Sequence, residues 1–450
     1  MTAWIANIYE PLKASFWFLP TIIIAGTIGI AVATIQLDHS QAGRDLIRWL
    51  PGSDQMQVEG ARRIVATVAG STITVATVVI SVVFLALTLM SQQFGPRILV
   101  MFMKDRYIQF VIGIFFATFA YAIIVLGAIG VGSFESTIPR VSVYAVSVLA
   151  FVAFGFLVFF IHHMAISIQA DAVVAHLGQE LQRVIEAEML ERPEGDGGDQ
   201  EEGGEDDELF GESARPVYLG RSGYVQLIDF ERATQIATEQ GARVRFTCRP
   251  GHFVVEDMRA AEFVLDKGGK ANKGKKGGRD ALAEKLAETV ELGARRTQAQ
   301  YAEYEVNALV EVALRALSPG INDPYTAVAC IDHLTAGLFR LMRGEARPTV
   351  LCDEKGTPRV YRYPQTFRHF VDSAFHPLRQ SASRNPQTLL HLAHAMEVLS
   401  AEARSKALRQ AILAHVEMLR EDNDRETENS ADRERVAAHL DRVEKRLKSS

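Results

Sequence analysis

Residues 64–90, IVATVAGSTITVATVVISVVFLALTLM, decide the fold because the run contains no charged side chain. A helix of about 20 residues crosses the ~30 Å hydrocarbon core of a bilayer, so this run is long enough to span a membrane. Backbone N–H and C=O groups find no water in hydrocarbon and must pair within the segment. The sequence therefore predicts a transmembrane α-helix here.

Three further stretches have the same character. Residues 15–35, 108–131 and 141–168 lack Asp, Glu, Lys and Arg and are also long enough to cross a bilayer. The predicted fold class is an α-helical integral membrane domain with four transmembrane helices, followed by a cytoplasmic α+β domain. We expect that second domain to be a small β-α-β-β unit followed by a helical bundle.

The distribution of charge divides the chain in two. Residues 1–170 hold only 9 of the 48 Lys and Arg and 7 of the 54 Asp and Glu. The remaining residues are therefore typical of an aqueous domain. The net charge of −6 disfavours a nucleic-acid partner. Three widely spaced cysteines, all in the aqueous part, fit a reducing compartment, and on this ground we place both termini in the cytoplasm.

Composition also predicts the order of the domains. Residues 1–170 form the transmembrane domain and residues 171–190 continue its last helix, so that this helix ends near residue 190. Residues 191–215 form an acidic disordered linker. A small α+β unit covers residues 216–266, and a basic loop covers residues 267–280. Residues 281–450 are expected to be helical throughout.

The second span carries polar side chains on one helical stripe. They recur at steps of three, four and seven residues, with Val78 and Leu85 in the two apolar positions. A stripe of hydroxyls can line a hydrated path and replace part of the water shell of a solute. Equally, small hydroxyl residues let two helices pack closely. The stripe consists of Thr67, Ser71, Thr74, Ser81, Thr88 and Gln92.

Two motifs in the aqueous part carry polar residues near prolines. The first is a well-formed helix break, with Pro324 where a missing N–H costs nothing at the start of a helix. The second is a polar cluster around a proline-broken segment, which is a candidate anion site. The break comprises Ser318, Pro319, Gly320, Asn322, Asp323 and Pro324, and the cluster comprises Asp372, His376, Arg379 and Arg384.

Other candidate ligands are weaker. Arg245, Arg249 and His252 lie near one end of the small α+β unit, where either ligand sensing or a scaffold contact is conceivable. His391 and His394 are three residues apart and could share a metal ion, but such pairs are more often packed or exposed. We therefore predict no metal and no cofactor. The sequence shows no complete set of catalytic residues, so we do not expect the protein to be an enzyme.

Several blocks of the chain resemble a known family. They are AGSTITV at residues 69–75, SQQFGPRIL at 91–99, GYVQLID at 223–229, RPGHFV at 249–254 and ALSPGINDPYTA at 316–327. Together they are similar to the bacterial predicted-membrane-protein family called domain of unknown function 2254, over roughly residues 10–420. The resemblance implies a protein of the bacterial inner (plasma) membrane, with four spans in the membrane and a domain in the cytoplasm. It implies no established activity.

Two functions fit these patterns. The first is an oligomeric channel or passive transport protein whose second helix lines an aqueous path and whose cytoplasmic domain regulates or assembles it. The second is a non-conducting scaffold or signalling protein whose cytoplasmic domain binds a partner. For either function we expect the protein to contact the lipid bilayer and to assemble with further copies of itself. The sequence does not identify a soluble partner. The uncharged stripe disfavours an active pump.

Overall fold

The computed structural model describes residues 16–47, 56–129, 138–190, 209–211, 213–266, 278–296, 302–344, 349–363 and 366–449. The chain forms two compact units, Met1–Val173 and Val174–Ser450. Residues 191–208 of the predicted acidic linker and 267–277 of the predicted basic loop lie outside the described residues.

The first unit is helical over its described residues. Its long helices α1, α3, α5 and α6 have the length and composition of membrane spans, which confirms the four predicted apolar stretches. The helices are α1 (Phe18–His39), α2 (Gln41–Ile47), α3 (Val58–Phe94), α4 (Pro96–Met103), α5 (Arg106–Ala128) and α6 (Arg140–Ser167).

Helix α5 is the centre of this bundle. The other three spans all pack against it, and it is the most buried of the four. Gly113 of α5 allows α1 to approach closely, because an added Cβ would lie 2.8 Å from the side chain of Ile23 and 3.1 Å from the backbone of Pro20. Small residues at such crossings are common where helices pack in lipid.

Carboxylates tie the helices together at both ends of α6. At its beginning, Asp38 of α1 accepts hydrogen bonds from the backbone N–H groups of Val141 (2.8 Å) and Ser142 (3.1 Å). It thereby satisfies donors that a helix N-terminus leaves without partners. Near its end, His163 lies 2.8 Å from Asp105, which also caps the start of α5. Both carboxylates therefore fix the bundle at the polar boundaries of its spans.

The second unit combines two small sheets with helices. A five-stranded sheet has the order β1-β5-β3-β8-β7, and a three-stranded sheet has the order β4-β2-β6. The strands are β1 (Arg215–Tyr218), β2 (Gly223–Ile228), β3 (Ala242–Phe246), β4 (Phe253–Val254), β5 (Arg259–Leu265), β6 (Val290–Gly293), β7 (Val350–Cys352) and β8 (Pro358–Tyr361). Helices α8 (Phe230–Gln240) and α9 (Gly278–Ala287) share an apolar core with them.

The remaining helices form the other part of this unit. Within it α10 packs on α11 and α12, α11 packs on α13, and α15 packs on α13 and α14. Helix α7 also packs here, since an added Cβ at Gly178 would collide with the ring of His333 on α11. These helices are α7 (Ala170–Leu190), α10 (Ala302–Ala316), α11 (Pro324–Arg343), α12 (Phe367–Ala382), α13 (Pro386–Ser400), α14 (Lys406–Glu426) and α15 (Ser430–Ser449).

Three predictions about secondary structure differ from this arrangement. Helix α6 ends at Ser167 and a separate helix begins at Ala170, at the point where the apolar sequence gives way to a charged one. The predicted helical region 281–450 contains β6, β7 and β8. The predicted β-α-β-β unit is not one sheet, because its strands β2 and β3 belong to different sheets. Strands of three or four residues are too short to show a two-residue periodicity.

Candidate functional site

The polar stripe of α3 lies on the outside of the first unit. All six of its side chains are exposed. At 3.6 residues per turn, the stripe points about 160° away from the face that α3 buries against the rest of its unit. That buried face consists of Ala61, Val65, Ala69, Thr72, Ala76, Val79, Val83, Ala86, Met90 and Phe94. Among the residues that the structure describes, the stripe is therefore not used for packing within its unit.

Four hydroxyl groups on this face donate to the backbone of their own helix. Ser81 Oγ donates to the carbonyl oxygen of Thr77 (2.9 Å) and Thr88 Oγ1 to that of Phe84 (2.9 Å). In the same way, Ser71 donates to the carbonyl oxygen of Val68 and Thr74 to that of Gly70. Each hydroxyl oxygen still has lone pairs with which to accept. The face consequently offers acceptors and no spare hydroxyl donors at these positions.

The exposed face of α6 provides a contrast within the same unit. It presents large apolar side chains such as Phe151, which is 79% exposed, Phe154 (64%) and Val158 (61%). Such a surface is suited to lipid tails. On α3 the apolar side chains Val78 (56% exposed) and Leu85 (60%) interrupt the polar stripe, and Phe84 (64%), Ile64, Val82 and Leu89 are exposed beside it. The two outward faces therefore differ in chemistry although both lie in membrane-spanning helices.

The helix-break motif lies between α10 and α11. The Ser318 carbonyl oxygen accepts from the N–H groups of Ile321 (3.0 Å) and Asn322 (2.9 Å), and Asn322 has a left-handed φ of 49°. Asp323 caps α11 by accepting from the N–H and the hydroxyl of Thr326. His333, further along α11, lies against Gly178 of α7. These contacts account for the motif as the end of one helix and the start of another.

The predicted polar cluster is paired with α14. Arg379 forms an ion pair with Asp422, and Arg384 Nε lies 3.4 Å from Glu426. Asp372 lies 2.8 Å from the ring of the buried His415, whose pKa is lowered by burial. His376 lies beside His415, with ring centroids 6.4 Å apart. An anion would have to compete with these carboxylates, so anion binding stays a prediction.

A buried polar cluster surrounds the RPGH turn between β3 and β4. The Arg249 guanidinium lies 2.9 Å from the carboxylate of Glu303 in the first turn of α10. His369, in the first turn of α12, lies 2.6 Å from the same carboxylate oxygen. Arg249 Nε donates to His252 Nε2 at 2.8 Å. Sequence reasoning singled out Arg249 and His252 but missed Glu303 and His369, which lie far along the chain. Arg245, the third predicted residue, pairs instead with Glu262.

The environment of His252 makes the second unit sensitive to acid. Burial, together with the charge of Arg249, lowers the pKa of His252 to about 4. Glu303 acts in the opposite direction, while His369 and Arg296 add to the lowering. The unfolded chain, with an ordinary histidine pKa near 6.5, binds the proton more readily than the folded chain. Stability is therefore lost as the pH falls from about 6.5 towards 4.

We expect His252→Gln to reduce this loss. The apparent melting temperature of the wild type should fall between pH 7 and pH 5, and the variant should show a smaller fall because Gln does not titrate. The measurement is thermal unfolding of the detergent-solubilised protein at several pH values. His391→Gln removes a half-buried histidine outside this cluster and serves as the control. Equal falls in all three proteins would contradict the assignment.

The two histidines predicted as a possible metal pair, His391 and His394, are not grouped together in the structure. His391 is half-buried and contacts the carbonyl oxygen of Gln387 in its own helix. His394 lies instead near Glu397 and His439, with one ligand atom from each residue within 4.8 Å of the others. His439 was not predicted, because it belongs to the next helix but one.

Comparisons with known proteins agree with the membrane assignment. The model of a family described as "Predicted membrane protein (DUF2254)" matches residues 13–398. Uncharacterized proteins of Mycobacterium bovis and Mycobacterium tuberculosis are 27% identical to the chain over 440 residues, which cover 95% of this chain and 80% of each relative. No solved structure matches the chain.

Proposed function

The chain belongs to this family of predicted membrane proteins, and from that premise we propose that it is an oligomeric channel or passive transport protein. In this proposal the α3 helices of several copies surround a hydrated path. The observation that carries it is the outward polar face of α3, which points away from the chain's own helices. The bacterial inner membrane, with both termini in the cytoplasm, is the proposed location.

The contrast between α3 and α6 supports this arrangement. Lipid tails gain nothing from a surface of hydroxyls, whereas water and a neighbouring subunit both can use their oxygen lone pairs. The large apolar residues of α6 suit the opposite role, which is contact with lipid. We therefore assign α3 to the inside of the assembly and α6 to its outside.

The chemistry of the face favours cations over anions as the solute. The hydroxyl hydrogens of Ser71, Thr74, Ser81 and Thr88 are donated to backbone carbonyls, so their oxygens present lone pairs to the path. Oxygen lone pairs can replace part of the hydration shell of a cation. Val78 and Leu85 would form two apolar rings, where a narrow path can close by losing its water.

The ends of α3 are also suited to a path across the membrane. The helix is about 55 Å long at 1.5 Å per residue, so it extends well beyond a hydrocarbon core of ~30 Å. Arg63 pairs with Glu59 at 3.2 Å near one end, and Gln92 is exposed near the other. Polar groups therefore flank the stripe on both sides. The second unit serves regulation or assembly in this proposal.

The test replaces two hydroxyls of the stripe. Ser81→Leu with Thr88→Leu should lower the flux of a small cation such as K⁺ into reconstituted vesicles at least tenfold, because two leucine rings remove the acceptors. Thr21→Leu on α1 is the matched control, since Thr21 is exposed and its hydroxyl makes the same kind of bond, to Trp17 O at 2.8 Å. The oligomeric state is measured in parallel by crosslinking in the vesicles.

The outcomes separate the two functions. Lost flux with intact assembly supports the channel. Flux that equals that of the control variant contradicts it. If wild-type vesicles pass no small ions and the double variant fails to assemble, the stripe is a packing surface, and the non-conducting scaffold or signalling function is the correct one.

A further inference from the structure

A group of two histidines and a glutamate lies where α13 packs on α15. His394 and Glu397 are three residues apart and so project from one face of α13, and His439 comes from α15. One ligand atom of each residue lies within 4.8 Å of the other two. In tetrahedral coordination with bonds of about 2.1 Å, ligand atoms are roughly 3.4 Å apart. Small side-chain rotations would bring the three atoms to that spacing.

The present contacts of this group depend on the guanidinium of Arg442. His439 Nδ1 lies 2.5 Å from Glu397 Oε2 and 2.8 Å from Arg442 Nη2. If Nδ1 carries a proton it can donate to Glu397, but it then faces the N–H of Arg442. If it carries a lone pair it can accept from Arg442, but it then faces the lone pairs of the carboxylate. A nitrogen and an oxygen lone pair that point at each other need a positive charge between them. In the structure Arg442 Nη2 supplies it, since it also lies 3.1 Å from Glu397 Oε2, and a metal ion would take its place.

A hollow adjoins the group. It has a volume of about 350 Å³ and lies between α11 and α13. His394 forms part of its wall, together with Asp332, Thr335 and Phe339. A metal held by His394 could therefore keep one coordination position open towards a space large enough for water or a small ligand.

We propose that His394, Glu397 and His439 bind a divalent transition metal ion of the zinc class. Two imidazoles and one carboxylate are a ligand set that zinc accepts, with a fourth position left for water. Arg442 competes for the same carboxylate, through contacts of 2.8 Å and 3.1 Å. Its side chain is half exposed and can swing into solvent when a metal takes Glu397. Metal binding would link α13 to α15 and so anchor the last helix of the chain. This inference is independent of the proposed transport function.

The binding test uses the full-length protein in detergent, purified with a tag that contains no histidine and treated with a chelator. Co²⁺ is followed by its visible absorption and Zn²⁺ by calorimetry. We expect the wild type to bind about one equivalent. Glu397→Gln and His439→Ala should each weaken binding at least tenfold, whereas His391→Ala should leave it unchanged because that histidine lies outside the group.

A second variant gives an effect of the opposite sign. Arg442→Gln removes the competing cation and should strengthen metal binding by about tenfold or more, while a merely structural role of Glu397 predicts no such gain. If Glu397→Gln fails to fold, Arg442→Gln still tests whether Glu397 binds the metal. No binding by the wild type, an equal loss with His391→Ala, or unchanged affinity in Arg442→Gln would each overturn the proposal.

Discussion

Glu303→Ala is expected to lower the free energy of unfolding of the second unit by about 3–5 kcal/mol, the range for removing one partner of a buried ion pair. The Arg249 and Glu303 side chains are only 8% and 11% exposed. Without the carboxylate, the Arg249 guanidinium stays shielded from water and loses the negative charge at 2.9 Å. His369 loses its acceptor at 2.6 Å through the same change.

Cysteine reactivity measures this destabilisation. Cys248 is buried beside Arg249 in the chain, and burial raises the pKa of its thiol to about 12. It therefore reacts with a thiol reagent only when the structure around it opens. In a Cys352→Ser background, which removes the exposed cysteine, Glu303→Ala should increase the rate of alkylation at least a hundredfold. Denaturant unfolding of the same proteins gives the free energy directly.

An exposed ion pair of the same unit is the control. Arg232 and Glu288 lie 2.8 Å apart, but their side chains are 51% and 62% exposed. Exposed pairs contribute about 0–1 kcal/mol, so Glu288→Ala should change the alkylation rate only slightly. If both glutamate variants had the same small effect, the cluster around Arg249 would not stabilise the unit as argued.

The sequence was sufficient for features that depend on local composition. Four membrane spans are recognisable because a bilayer imposes a length of about 20 apolar residues whatever the rest of the chain does. The helix of the predicted β-α-β-β unit is present as α8, whose start is capped by Asp229 and whose end is followed by Gly241 in a left-handed conformation. Both signals lie within or next to the helix itself.

Features that depend on distant contacts were not predictable in the same way. Strand β8 pairs in parallel with β3, so Val360 lies opposite Val244 across more than a hundred residues. The buried cluster joins Arg249 to His369, which are 120 positions apart. His439 meets Glu397 because α15 packs on α13. None of these pairings leaves a periodic pattern, so only the fold brings the residues together.

The orientation of the α3 stripe shows a third case. The sequence predicted that the six polar residues share one face, because helical spacing alone determines this. It left open whether that face meets water or another helix. Among the described residues, the structure excludes another helix of the same unit as the partner of this face, since those helices pack on the opposite face of α3. The choice between water and a second copy depends on the assembly.

Asp422→Ala is expected to cost about 3–5 kcal/mol for the same physical reason as the change at Glu303. Asp422 is 3% exposed and Arg379 is 13% exposed, so the variant leaves a shielded guanidinium without its carboxylate. Arg379 Nε already lacks a hydrogen-bond partner among the described residues. The double variant Arg379→Met with Asp422→Leu should recover most of the loss, because a well-packed apolar pair can replace a buried ion pair.

The same variants test the predicted anion site around Asp372, His376, Arg379 and Arg384. In the wild type the carboxylate of Asp422 occupies Arg379, so phosphate should raise the melting temperature very little. In Asp422→Ala the guanidinium is released, and phosphate should then stabilise the protein by several degrees, whereas the double variant should not respond. Equal stabilisation of the wild type and the single variant would mean that the anion binds while the ion pair is intact. The cluster would then bind an anion in the wild type and would not consist only of structural ion pairs. Asp422 would in that case only orient Arg379.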